Sequence, residues 1–441
     1  MSAPEPGSFV ELERVLAARV DFERTPPAHG FELARVRALA EALGDPGAAL
    51  PAVHVAGTTG KGTLTALVAC AASLAGLETG WTTSPHLCNL RERIRVGPGP
   101  LSDAGWCRAL GEVLRAEERA QEAGSGHEPA TFFELVILSA LAAFRAAELD
   151  LSVVEVGLGG RLDATRAVRP SVSVITRIGL DHRELLGDDE ASVAREKAGI
   201  LVPGVPLVAG PDHAEAEAAI SARAEALGCP TWWLGRELDV VGGRLRVPGR
   251  ELVLPDLSGN PVRRPAAALA GGVLLRLEQL TGRRDLLSAL PEALERLRWR
   301  GRCEWIAGNP PLLLDGAHDG PSAQALSQAY RARAGETSGG LLLAVARGKD
   351  LDGIVQALSP LAERAWACAA HGPSRALDPQ VLAAKLESAG VATEVCSSPV
   401  AALERARAWA EACGRPLVAS GSLYLVGAVL GALGLDADAA W

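Results

Sequence analysis

The chain has 441 residues, 48% of them hydrophobic and 22% charged, with a formal net charge of −9. That length exceeds one ordinary core and predicts two domains, and the hydrophobic share excludes a disordered polymer. The acidic balance argues against a general nucleic-acid-binding surface, so an anionic ligand must meet a local basic cluster.

Residues 1–24 mix Glu, Arg and Pro and lack the apolar core of a signal peptide. Beyond them, short runs rich in β-branched residues and leucine alternate with helix-length segments. Strands are predicted at 52–56, 151–156, 172–176 and 205–209, then at 312–314, 341–345, 365–369 and 416–419. Helices are predicted at 64–75, 132–148, 379–388 and 401–413. This alternation, with near-continuous apolar strands, predicts an α/β fold of parallel sheets covered on both faces. Residues 231–255 differ: the turn pairs Gly242-Gly243 and Pro248-Gly249 predict antiparallel hairpins. A new strand–helix series begins after Arg302, so the expected boundary lies near Leu297, with domains 1–297 and 298–441. The apolar run 423–435 is broken by glycines and too short to span a bilayer. Eight cysteines without a C-x-x-C pair read as small core residues in a reducing compartment. A cytoplasmic protein without a membrane partner is expected.

The 44 basic residues include only four lysines (Lys61, Lys197, Lys349, Lys385), leaving 40 arginines. Lys61 lies in Gly57-Thr58-Thr59-Gly60-Lys61-Gly62-Thr63, directly after a predicted strand and before an apolar helix. Glycines let backbone N–H groups turn inward around a phosphate, and the helix N-terminus adds positive potential. Lys61 would meet the phosphates and Thr63 would offer its hydroxyl to Mg²⁺. The strict P-loop pattern is not met, because Val55 stands for its first glycine and Gly62 separates Lys61 from Thr63.

Glu155 closes a very apolar strand, where a carboxylate is costly unless it holds a cation or pairs with one; Arg161 is the alternative partner. His182 follows the strand at 172–176, and alone reads as a structural histidine. Lys197, in Arg195-Glu196-Lys197, carries a primary amine that can add carbon dioxide to form a carbamate, which arginine cannot do. The arginine run Arg296, Arg298, Arg300, Arg302 reads as a solvated face for its first three members.

These groups together resemble the folylpolyglutamate synthase/dihydrofolate synthase family, a branch of the Mur-type ATP-dependent amide ligases. The likeness runs from residues 31–46 through HVAGTTGKGT (54–63), SPHL (84–87), RERI (91–94), EVGLGGRLDAT (155–165), GLDH (179–182) and REKAGI (195–200). It continues through W-x-GR (299–302), LDGAH (314–318), KD (349–350), SRA (374–376) and GSLYLVG (421–427). The resemblance implies an N-terminal P-loop ATPase domain with a parallel sheet and a smaller Rossmann-like C-terminal domain, with the site in the cleft between them. It implies ATP and Mg²⁺ as cofactors, with Gly57 to Thr63 around the phosphates. Thr63, Ser84, Glu155 and His182 would hold metal, and Lys197 would be carbamylated; Lys61, Lys197 and His182 would carry the chemistry. Arg302, Asp315 and His318 would reach the nucleotide, while Pro85, His86, Arg91, Arg93 and Phe133 would lie near a pterin-bearing acceptor. The implied reaction adds L-glutamate to dihydropteroate or reduced folates in a monomeric enzyme.

Four family asparagines are replaced, by Thr59, Arg166, Pro265 and Asp319, and Pro261-Val262 stand for a His-Gln pair. They leave open a paralogous ligase with another carboxylate or amine, and a regulatory nucleotide-binding protein.

Overall fold

The computed structural model describes residues 5–21, 33–123, 128–257, 259–260, 262–370, 375–435 and 440–441. Residues 31–32, Pro261 and Ser374 of the motifs above lie outside them.

The first large sheet contains β1 (Ala52–Ala56), β2 (Thr79–Thr82), β3 (Ile94–Val96), β4 (Gly99–Pro100), β5 (Leu151–Glu155), β6 (Val172–Ile175), β7 (Leu207–Ala209) and β8 (Thr231–Trp233). Their order is β4-β3-β2-β5-β1-β6-β7-β8, parallel from β2 to β8, with β3 and β4 antiparallel at one edge. Every residue of β1, β5 and β6 is buried, as expected for central parallel strands. Alternate side chains serve opposite faces: Val53 and Val55 join the core with the helices Lys61–Leu74 and Arg263–Thr281, and Ala52 joins the core with Phe132–Ala146.

A three-stranded antiparallel sheet follows: β9 (Asp239–Val241), β10 (Arg244–Val247) and β11 (Arg250–Val253). The hairpins predicted at 231–255 are therefore confined to 239–253. Thr231–Trp233 instead pairs parallel with β7, because its bulky residues extend the large sheet's covered edge.

The second large sheet holds β12 (Glu304–Ile306), β13 (Leu312–Leu314), β14 (Gly339–Leu343), β15 (Ala362–Ala367), β16 (Ala392–Val395) and β17 (Leu417–Ser420), ordered β12-β13-β17-β14-β15-β16. Only β12 runs antiparallel. Leu313, Leu341, Leu343 and Val418 pack on one face; Leu312, Leu314, Leu342 and Leu417 pack on the other. Residues 57–63, 84–87 and 179–182 follow β1, β2 and β6, and residues 315–318, 349–350 and 421–427 follow β13, β14 and β17, at strand C-termini where open α/β sheets present ligand-binding loops. Among the described residues, no helix is long and apolar enough to cross a membrane.

Candidate active site

The glycine loop is made by its backbone. Thr58 N donates to Arg177 O (2.7 Å), Thr58 Oγ1 bridges Gly179 N and O (3.1 and 3.0 Å), and Thr176 Oγ1 donates to Thr59 O (2.8 Å). Gly57 has φ 145°, and a Cβ there would stand 1.8 Å from Thr176 Oγ1. Gly57→Ala is therefore expected to cost about 2–4 kcal/mol and to abolish ADP binding; thermal unfolding and calorimetric titration with ADP check this, and an alanine variant that binds ADP normally refutes the loop's role.

The helix Lys61–Leu74 starts without a side-chain cap, its N-cap being Gly60 at φ 91°. Its first N–H groups are thus presented to a ligand, the arrangement that suits an anion. Lys61 Nζ donates back to Thr58 O at 3.2 Å, folding the amine over the loop.

Beside this terminus lies Glu155, 4% exposed, which accepts a hydrogen bond from Ser84 N at 3.1 Å. Burial pushes its carboxyl above the usual range, opposed by the charges of Lys61, Arg302 and Arg93. Arg161 is not its partner: that guanidinium pairs with Glu196 at 3.0 Å. Gly62 admits the close approach, since a Cβ there would meet Glu155 Oε2 at 3.3 Å and Trp299 Cζ2 at 3.4 Å. Thr63 is buried, and among the described residues neither its hydroxyl nor that of Ser84 has a hydrogen-bond partner. No three His, Cys, Asp or Glu side chains converge on a metal-sized site among the described residues. One buried carboxylate and two free hydroxyls next to a phosphate cradle fit Mg²⁺, which is commonly completed by phosphate oxygens and water.

Asp181 is a hub that the motif reading passed over. It accepts Lys349 Nζ at 2.6 Å, with His182 Nε2 at 3.7 Å and His318 Nε2 at 4.0 Å. Burial opposes its charge, but the Lys349 ammonium bonded to it at 2.6 Å, with the two histidines nearby, holds its carboxyl well below the usual range. His182 takes a left-handed conformation (φ 49°), and burial keeps its imidazole neutral, with a pKa of about 4 despite Asp181. Lys349 and His318 come from the second sheet's loops, so this cluster ties the two sheets together. The rarity of lysine was the signal that marked Lys349.

Lys197 ends the helix Glu190–Lys197 and is 4% exposed. Among the described residues no carboxylate lies within ion-pair distance of it. Burial first, and the charge of Lys61 second, lower its pKa to about 7, against the opposing pull of Asp181 and Asp163. The loop beneath it is stiffened by a buried chain: His54 Nε2 lies 2.8 Å from Thr165 Oγ1, which donates to Asp163 Oδ1 at 2.5 Å. Because Thr165 gives its proton to Asp163, Nε2 is the donating nitrogen of a neutral His54, whose pKa burial and Arg166 depress to about 3.

Arg302 lies against Gly316, where a Cβ would meet Nη1 at 2.7 Å. Asp315 is buried, accepts Cys303 N and Ala317 N (both 2.7 Å), and is pushed up by burial against the pull of Arg302. An open cleft of about 440 Å³, solvent included, runs past Thr83, Pro85, Arg95, Trp299 and Arg302. Arg298 and Arg300 also line it, so they are not the purely solvated face that the run suggested. Phe133 packs on Gly157, and His86 Nδ1 accepts from Arg93 Nε at 2.8 Å. Arg91 is committed elsewhere, to Asp103 at 2.6 Å and over the Phe9 ring.

Two of the four residues that replace asparagines have local side-chain uses. Arg166 Nη1 donates to Ile200 O (3.0 Å), and Asp319 caps the helix Gly320–Ala334 by accepting Ser322 N at 2.7 Å, whereas Thr59 offers Thr176 only a backbone carbonyl that asparagine would supply equally. Pro265 is third in the helix Arg263–Thr281, where a missing N–H breaks no helical bond.

Comparison with known proteins agrees with this layout. The family described as Mur ligase, glutamate ligase domain, matches residues 301–423. A dihydrofolate synthase/folylpolyglutamate synthase of Mycobacterium tuberculosis is 33% identical over 412 residues, covering 86% of this chain and 81% of the relative. The solved structure of Escherichia coli FolC in complex with DHPP and ADP superposes with a TM-score of 0.82 at 27% identity, over 98% of this chain and 99% of that one. The bifunctional folylpolyglutamate synthase/dihydrofolate synthase of Yersinia pestis, complexed with AMPPNP and a Mn ion, gives 0.83 at 29% identity, over 98% and 100%.

Proposed function

Because the chain belongs to the dihydrofolate synthase/folylpolyglutamate synthase family, we propose that it is an ATP-dependent ligase joining L-glutamate to dihydropteroate, reduced folates or both. The observation that carries this reading is the buried, cation-facing Glu155 beside an uncapped helix N-terminus that bears Lys61 and Thr63. The acceptor's carboxylate oxygen attacks the γ-phosphorus of ATP; ADP leaves and an acyl phosphate forms. The glutamate amine then adds to the acyl carbon, phosphate leaves, and one proton is lost as the amide forms. Mg²⁺, held by Thr63, Ser84, Glu155 and His182, would neutralise charge on the transferring phosphoryl group.

Lys61 and Arg302 approach that group from opposite sheets, so positioning and charge do most of the work. The loop at Gly57 to Gly62 orients the phosphates, with Arg302, Asp315 and His318 reaching the nucleotide from the second sheet. The neutral imidazole of His182 has a lone pair to give to a metal rather than a proton. Lys197 joins the reading as a carbamate: its buried amine, without a carboxylate partner among the described residues, is a nucleophile for carbon dioxide, and the product is an extra carboxylate beside Lys61. Pro85, His86, Arg93 and Phe133 would contact the acceptor; Arg91 would act only by supporting that segment through Asp103. We place the domain division near Leu297, since the glutamate ligase domain match begins at residue 301. A cytoplasmic monomer completes the proposal; the reducing compartment is supported by the cysteines, none of which forms a disulfide among the described residues.

Purified protein is expected to release phosphate from ATP only when L-glutamate and dihydropteroate or a reduced folate are both present, with mass spectrometry identifying the amide product. Phosphate release without either substrate, or none with any folate acceptor, sinks the reading.

A further inference from the structure

Three indoles meet where the first sheet joins the connecting segment. Trp81, on β2, is fully buried; Trp299 lies 5.5 Å from it and Trp441 lies 5.7 Å from it at an interplanar angle of 25°. Trp81 Nε1 donates to Gly97 O at 2.9 Å, and the Arg95 guanidinium sits 5.2 Å from its ring. Ala440, 2% exposed, is fixed by two backbone bonds: its N–H donates to Pro98 O (2.9 Å) and its carbonyl accepts Arg298 N (2.6 Å).

Residues 297–303 form neither helix nor strand, so their backbone groups depend on outside partners. The bond to Ala440 supplies one, and the indole contacts supply side-chain packing. This segment carries Trp299 and Arg302. Trp299 reaches the helix terminus at Gly62, and its Nε1 is buried without a partner among the described residues. Arg302 lies on Gly316, and Ala440 itself lines the cleft with Pro85, Trp299 and Arg302.

We propose that Ala440 and Trp441 are positioning residues of the active cleft: by clasping residues 298–302 onto Trp81 they hold Trp299 against the phosphate loop and Arg302 at the nucleotide, and so set nucleotide affinity. The inference rests on the ligase reading for its turnover measurements, but not for ADP binding. A short segment displaced by about 1 Å loses its share of phosphate alignment, which is enough to change binding severalfold.

The test compares the full chain with Trp441→Ala and Trp441→Phe by calorimetric titration with ADP, steady-state kinetics and thermal unfolding. Trp441→Ala is expected to weaken ADP binding and raise the KM for ATP by about 10-fold, and to lower kcat as Arg302 loses its alignment with the transferring phosphoryl group. Trp441→Phe keeps an aromatic contact and is expected to recover both constants. If the alanine variant does not fold, Trp441→Leu takes its place with the same expectation. An aromatic cluster serving stability alone lowers the unfolding midpoint but leaves the folded protein's ADP affinity and KM at parental values; that result overturns the proposal. A parent chain that binds ADP yet makes no glutamate adduct defeats the ligase reading and leaves the ADP comparison intact.

Discussion

Replacing Lys197 by arginine is expected to lower kcat by about 10²-fold or more while the protein stays folded and still binds ADP. The site is buried, its amine has no carboxylate partner among the described residues, and burial lowers its pKa to about 7. Lysine can lower the cost of burial by giving up its proton, whereas arginine keeps its charge, so thermal unfolding is measured beside kcat to separate loss of fold from loss of chemistry. What arginine lacks is an amine that can become a carbamate. The expectation extends to pH and carbon dioxide. Carbamate forms from the neutral amine, so with a pKa near 7 the reactive fraction falls to about a tenth at pH 6 and rises to about nine tenths at pH 8. Activity should therefore decline on the acid side, and degassed buffer should deepen the decline unless bicarbonate is restored. An active arginine variant, or rates indifferent to bicarbonate, would refute the carbamate.

Glu155→Gln is expected to reduce kcat by about 10²- to 10³-fold and to raise the Mg²⁺ concentration needed for half-maximal rate. The substitution is nearly isosteric, and the amide oxygen can still accept the Ser84 N–H. Burial already disfavours the charged carboxylate against the pull of Lys61, Arg302 and Arg93. Removing the charge should thus leave the unfolding midpoint within about 4 °C of the parent. A glutamate kept only for stability gives the opposite pattern, a lower midpoint with near-normal kcat. Kinetics across a Mg²⁺ series, paired with thermal unfolding, separate the two.

The strands at 52–56 and 312–314 and the helix at 379–388 were legible to the residue, because each is a contiguous apolar or amphipathic pattern bounded by turn residues. The phosphate loop was legible as well, since its chemistry needs neighbouring glycines and a lysine. β2 was not anticipated: Thr79–Thr82 contains a glycine and is too short to show a period. Nor was the parallel pairing of Thr231–Trp233, which depends on the neighbour β7.

By itself, then, the sequence determined the family, the α/β alternation and the residue types available for phosphate and metal chemistry. These depend on spacing along the chain. Only the tertiary structure decided that Arg161 turns to Glu196 rather than Glu155, and that Lys349 crosses to Asp181 over 168 positions. It also decided that Lys197 loses its solvent and that Trp441 packs on Trp81. A side chain's charge state and partner depend on burial and on groups brought near by packing, and both come from the sum of distant contacts that no local pattern encodes.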